Sequence, residues 1–203
     1  MTETDLLNDA LSQIGEVGIG SIDDGTTNAN YCKTLYPALR DSILRSHHWN
    51  FAMVRVSLAQ DVTPPVYEYA YSYTVPSDLL KLVAYAGGNT STSTIWTADG
   101  MRAVQLPFKV EGRKLYSNDG TVWIQYVARV TNPSLWDALF YQTVSTWLAS
   151  KLAMAITKDA RKSSALLKQA MTVLLPMALA VDGQEGSVEP FQTDNLLWGR
   201  WLA

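Results

Sequence analysis

The sequence predicts a mixed α+β fold, mainly helical: a bundle of about four helices with a small antiparallel β insertion between helices 2 and 3. Three observations predict it. Apolar or small side chains at Ala29, Cys32, Tyr36, Leu39 and Ile43 fall in steps of three and four, which puts them on one helical face. Residues 66–75 alternate with period two, as an extended strand does. Helical spacing then returns after residue 131. The same pattern sets the expected organisation. Residues 1–52 and 131–182 form a helical body, 53–130 a β-rich insertion, and 183–203 an extended C-terminal tail.

The totals narrow the function classes. At 203 residues with 47% hydrophobic content, the chain fits one domain with a real core, or one domain carrying an insertion. Net charge is -3 and the pI about 5.3, so the basic surplus of a dedicated nucleic-acid binder is missing. The single cysteine, Cys32, leaves no internal disulfide and fits a reducing cytoplasm; on the helix stripe it reads as a buried structural thiol. The first residues are polar and acidic, unlike a secretory leader. The longest apolar run, residues 171–181, is short for a bilayer span and carries Pro176, so no membrane anchor is expected. Seven tryptophans and ten tyrosines are a heavy aromatic load, of the kind favoured where protein meets protein.

Taken in order, the first helix starts with Thr2 or Thr4 as cap and buries Leu6, Leu7, Ala10, Leu11 and Ile14 before Gly15 ends it. The glycines of residues 16–25 lack phosphate-loop spacing and a following Gly-Lys-Ser/Thr, so they read as a linker. Thr26 or Thr27 caps the second helix, which Leu35 and Leu44 widen; Pro37 predicts a kink or a restart within it. Trp49 and Phe51 mark where helix gives way to strand. In residues 66–75, Tyr67, Tyr69, Tyr71 and Tyr73 are expected on one strand face, with Glu68, Ala70, Ser72 and Thr74 on the other. That face reads as packed on helices or a neighbouring subunit, the rival being a stacking surface for bases or sugars.

A turn at Pro76-Ser77-Asp78 leads into a strand through Tyr85, with Asp78 as a turn or cap acceptor. Residues 87–94 are small and polar and read as a loop. Gly112-Arg113 predicts a hairpin between Phe108–Glu111 and Lys114–Ser117, and Asn118-Asp119-Gly120 leads into a strand over residues 121–130 whose two apolar faces mark it as central. Asn132-Pro133 predicts the start of the third helix, carrying Leu135, Trp136, Leu139, Phe140, Val144, Trp147, Leu148, Leu152 and Ile156. A fourth helix over residues 159–181 presents Leu166, Leu167, Ala170, Met171, Leu174 and Leu175; Pro176 bends or ends it, and Asp182-Gly183 closes it. The tail bears Phe191, Leu196, Leu197, Trp198, Arg200 and Trp201, a docking arm for a partner groove rather than a segment folded back on its own domain.

Reactive constellations are absent from the sequence. His47 and His48 are adjacent, point about 100° apart on a helix and lack metal-ligand companions; they read as caps of helix carbonyls. No nucleophile elbow occurs, and the closest acidic pair, Asp23-Asp24, lies in the linker. No cofactor and no catalytic residue are expected.

Leu35-Tyr36-Pro37 with Arg40-Asp41, Leu44, Trp49 and Phe51-Ala52 resembles the tail tubular protein A family, the head-to-tail adaptors of short-tailed bacteriophages. The tyrosine-rich strand ending in Pro76-Ser77-Asp78 with Leu79-Leu80-Lys81 is similar to it too. So are Tyr126-Val127-Ala128-Arg129-Val130-Thr131, Phe140 and Leu148-Ala149-Ser150-Lys151-Leu152-Ala153. Asn132 stands where the family often has Asp, and both cap helices. The resemblance spans roughly residues 5–185 in order and pattern. It implies a non-enzymatic structural virion protein, made in the host cytoplasm and located in the virion tail. It implies a homo-oligomeric ring, a dodecamer, joining the portal protein to the tail nozzle protein (tail tubular protein B), with genomic DNA passing through without specific binding. Portal contacts fall to Phe191, Leu196, Leu197, Trp198, Arg200 and Trp201, and nozzle or subunit contacts to Tyr67, Tyr69, Tyr71 and Tyr73. The alternatives are a cell-wall-degrading virion enzyme using scattered carboxylates and a glycan-binding module using the tyrosine face.

Overall fold

Thr2 starts helix α1 (Glu3–Ile14) with a reciprocal cap: its hydroxyl accepts from the Asp5 amide and its own amide donates to the Asp5 carboxylate. Gly15, at φ 82°, ends the helix in the left-handed conformation that glycine tolerates best. The computed structural model describes residues 1–88 and 108–185, with the backbone of Trp96–Thr97. All five apolar positions expected of α1 are buried. The linker beyond it is held in place, because Asn8 accepts from the Ile19 amide at 2.7 Å and donates to the Ile19 carbonyl at 3.0 Å.

Helix α2 (Thr27–Ser46) is capped by the Thr26 hydroxyl and buries Ala29, Cys32, Tyr36, Leu39, Ile43 and Leu44, as the periodicity demands. It runs through Pro37 without restarting. Cys32 is fully buried, and desolvation pushes its thiol up to about 11. A 3₁₀ turn, Asn50–Ala52, then feeds the first strand.

The insertion is two antiparallel sheets. Strands β1 (Met53–Leu58), β7 (Val122–Ala128), β3 (Leu79–Gly87) and β4 (Trp96–Thr97) form one in that order; β2 (Tyr71–Thr74), β6 (Lys114–Ser117) and β5 (Phe108–Glu111) form the other. Strand β7 is central, as its two apolar faces required, and it serves two cores. Val122, Ile124 and Tyr126 meet Tyr73 and Leu115 of the second sheet, while Val127 faces the helices with Leu80, Met53 and Val83. The Gly112 hairpin forms as predicted, at φ 59°. The Asn118-Asp119-Gly120 segment holds a buried polar knot. The Tyr85 hydroxyl lies 2.6 Å from both the Asp119 carboxylate and Ser117 Oγ, and the Tyr73 hydroxyl donates to the Asp119 carbonyl. Burial first, then the Asp119 bond, pushes the Tyr85 hydroxyl well above the ordinary tyrosine value. Gly87 is required beside this knot, since a Cβ there would sit 1.8 Å from Asp119 Oδ2.

The third helix begins later than expected. Asn132 caps only a 3₁₀ turn, Pro133–Leu135; Asp137 accepts from the Leu139 and Phe140 amides and starts α3 (Ala138–Leu152). The helix continues as a π turn, Ala153–Thr157, and Lys158 at φ 55° ends it. Asp159 then caps α4 (Ala160–Gln169), which passes through a second π turn, Ala170–Leu174, into α5 (Leu175–Glu185). The expected stop at Pro176 and the close at Asp182-Gly183 are both overrun: Ala160–Glu185 is one helix of 26 residues. A proline ring clashes with the carbonyl four residues back, and here that residue, Thr172, lies in the widened π turn.

The described residues thus form a mixed α+β structure whose two parts meet at an aromatic cluster. The Phe140 ring is met edge-on by Trp49 at 4.8 Å, Phe51 at 5.0 Å and Trp136 at 5.0 Å between centroids. Both indoles are anchored, Trp49 Nε1 to the Ile43 carbonyl and Trp136 Nε1 to the Val130 carbonyl. Phe140→Ala is expected to lower stability by about 3–5 kcal/mol in denaturant unfolding. Leu135→Ala, at a side chain 63% exposed, should change it by less than about 0.5 kcal/mol.

Candidate interaction surface

Helix Ala160–Glu185 has two different sides. Toward the core it sends Leu166, Ala170, Leu175, Ala178 and Leu179. The step of five from Ala170 to Leu175 is the π turn, which adds a residue without moving the buried side around the axis. This corrects the regular stripe expected through Met171 and Leu174. Val173, Met177 and Val181, in steps of four, form an uncovered apolar stripe, while Met171, 47% exposed but only two residues from Val173, lies off it. By length and composition the helix could cross a membrane, with a mean hydropathy of 1.5 over its best window. Its C-terminal end is nonetheless tied to the α2–β1 junction. Buried Asp182 accepts from the Asn50 amide at 2.8 Å and lies 3.2 Å from His47 Nε2, so His47 meets a carboxylate rather than the helix carbonyls expected of it.

The tyrosine ladder does not form as one strand face. Strand β2 begins only at Tyr71, and Glu68 turns the chain at φ 72°. Tyr71 and Tyr73 point into the sandwich core, where Tyr73 is fully buried. Tyr67 and Tyr69 lie on the other side of the second sheet, in a loop that folds back over Ser72, Lys114 and Tyr116. Alternation of tyrosines is compatible with a strand, but the sequence signal carries no information about a reversal at Glu68.

Asp61 pins that loop to the sheet. Its carboxylate accepts from Ser72 Oγ at 3.0 Å, Thr74 Oγ1 at 2.8 Å and Lys114 Nζ at 2.6 Å. The Lys114 bond, opposed by desolvation and aided by the two hydroxyls, holds Asp61 below the usual carboxylate range. Between loop and sheet lies a cleft of about 330 Å³ lined by Pro64, Tyr67, Tyr69, Lys109, Glu111 and Tyr116, among others. A second, more apolar recess of about 290 Å³ lies on the outer face of the first sheet beside Trp123.

The charged residues quoted for the family resemblance converge. Asp41 accepts from Arg40 through Oδ1 and from Arg129 through Oδ2 at 2.7 Å, joining α2 to the end of β7, and Arg45 donates to the Leu80 carbonyl. Asp78 takes the Tyr126 hydroxyl rather than capping its turn with the side chain. Of the linker acids, Asp23 pairs with Lys33 and Asp24 holds the Thr26 amide and hydroxyl. Among the described residues no group of three or more His, Cys, Asp or Glu side chains is placed to hold a metal ion. Phe191, Leu196, Leu197, Trp198, Arg200 and Trp201 lie outside the described residues. No family model matches the chain, and no curated protein matches it.

Because Asp61 titrates lower in the fold than in the unfolded chain, its contribution is present above its unfolded pKa and fades as pH falls through the folded one. Asp61→Asn should therefore lower the denaturation midpoint at neutral pH, and the gap to the parent should close below about pH 4. A gap independent of pH would show that the charge is immaterial.

Proposed function

We propose that the chain is a structural, non-enzymatic virion protein, a head-to-tail adaptor that assembles as a ring beneath a portal and continues the DNA channel toward a tail nozzle. The observation that carries the reading is the uncovered apolar side of Ala160–Glu185, whose opposite side is already committed to the core. Contiguous exposed apolar surface of this kind marks an interaction site. In this reading the chain is mainly helical in its working part: α1, α2, α3 and the long helix form a bundle that is the ring body.

A closed ring needs two different complementary faces on each subunit. Val173, Met177 and Val181 supply one. Exposed Val17 and Tyr31, at the start of α2 where Asn28 donates to the Val17 carbonyl, supply the other. It lies about 30 Å along α2 from the Asp182 contact, taking 1.5 Å per residue over the 20 residues of that helix. Such a separation suits neighbours on opposite flanks. The acidic balance agrees with a channel through which DNA slides, since a strongly basic lining would retain it. Twelve subunits, portal binding by residues 184–203 and nozzle contacts by the β insertion complete the proposal.

Val173→Glu with Met177→Glu alters only exposed positions, so the protein should stay folded while ring assembly on its portal weakens at least about tenfold in sedimentation and electron microscopy. Unchanged assembly would remove this face from the interface. Deletion of residues 190–203 should leave a folded protein that no longer binds portal rings, and retained binding would remove the docking-arm reading.

A further inference from the structure

We propose that the cleft between the 62–69 loop and the outer face of the β2-β6-β5 sheet binds a neutral saccharide of one or two rings. The site stands independently of ring assembly, because none of its lining residues belongs to the apolar helix side. Its volume, about 330 Å³, falls at the small end of the range for ligand sites. Its aromatic part is Tyr67, 76% exposed, with the Tyr69 and Tyr116 rings nearly parallel at 23° and 6.4 Å between centroids. Exposed tyrosines offer an apolar face to the C–H side of a sugar and a hydroxyl at the rim.

The polar wall decides the ligand class. Lys114 is paired with Asp61 at 2.6 Å and Lys109 with Glu111 at 2.8 Å, and Glu68 adds a further acid beside Lys109. Both ammonium groups are thus already matched, and the cleft has no cationic surplus with which to hold a phosphate, a nucleotide or an acidic sugar. A purely apolar ligand would in turn leave these charges facing a surface that cannot hydrogen-bond. A neutral polyhydroxyl molecule meets both conditions. It places ring C–H groups on tyrosine and hydroxyls on carboxylate, ammonium, Ser72 and Thr63.

The loop is also shaped in advance. Asp61 fixes one end, the Asn118 side chain accepts from the Ala70 amide at 2.9 Å at the other, and Pro64-Pro65 restrict the backbone between. At the tip the Tyr69 amide donates to the Tyr67 carbonyl at 2.9 Å across Glu68 at φ 72°, a γ-turn of the rare positive-φ kind on a residue that is not glycine. Strain of this sort is held where it positions something. Here it presents Tyr67 and Tyr69 on the cleft side, whereas a continued strand would carry them on the core face with Tyr71 and Tyr73.

Saturation-transfer NMR on the full chain with maltose, cellobiose, lactose and chitobiose at millimolar concentration tests this. At least one disaccharide should show saturable transfer. Tyr67→Ala, at an exposed position, and Tyr116→Ala should each weaken it about fivefold to tenfold, while Trp123→Ala, at an exposed ring on the other sheet, should leave it unchanged. Three results would overturn the assignment: no transfer from any of the four sugars, equal transfer to the parent and the Tyr67→Ala variant, or binding of inorganic phosphate or a sulfated disaccharide in preference to all four.

Discussion

The Phe140 ring is the contact on which the rest of the structure depends. Three aromatic edges converge on it from the end of α2, the 3₁₀ turn before β1 and the turn before α3. Each such pair contributes about 0.5–1.5 kcal/mol beyond the apolar area it buries. More consequential is what the cluster connects. The chain leaves the helices at Trp49 and returns at Trp136, so one ring closes the excursion through the whole β insertion. The two anchored indoles fix the directions in which it leaves and returns. Asp41, bridging Arg40 and Arg129, clamps the same junction from its polar side.

Within that frame β7 transmits order in both directions. Val122, Ile124, Tyr126 and Ala128 belong to the sandwich core and Val127 to the helical core, so the two cores join at the C-terminal end of the strand. The sandwich is further specified by the Asp119 knot, in which tyrosines from β2 and β3 share one turn residue. Buried polar groups satisfied in this way favour a single register over its neighbours. Helix Ala160–Glu185 is attached along one side and at Asp182, and this leaves the stripe of Val173, Met177 and Val181 uncovered. Methionine adapts its shape at contact surfaces, which suits a face that must fit a neighbour.

Much of the fold was legible because burial imposes simple periods. The stripes of α1 and α2, the Gly112 hairpin and the central position of β7 followed from spacing alone. The aromatic stop at Trp49 and Phe51 was visible as a boundary, though not as a cluster, since Phe140 lies 89 residues beyond Phe51. The misreadings share a cause. Pro176 predicts a stop because regular helix geometry disfavours it, and the π turn that precedes it leaves no mark in the periodicity. Asn132 and Asp137 are both good caps, and spacing alone does not tell that the first starts only a 3₁₀ turn and the second the helix. Alternation puts the four tyrosines on one face because it is blind to a single positive φ at Glu68. Asp61 gives no signal, and Asp119 and Asp182 read only as turn and helix-end residues, because Lys114, Tyr85 and Asn50, which meet their carboxylates, are remote in sequence.

The central functional claim is that the open side of Ala160–Glu185 is covered by protein in the working assembly. Hydrogen–deuterium exchange with mass spectrometry, on the chain alone and bound to portal rings, measures this directly. Peptides covering 160–185 should gain protection on assembly while those of the β5–β6 hairpin's core-facing strand, already buried, change little. Protection of 160–185 that is identical with and without the portal, or that rises only when lipid vesicles are added, would contradict the claim.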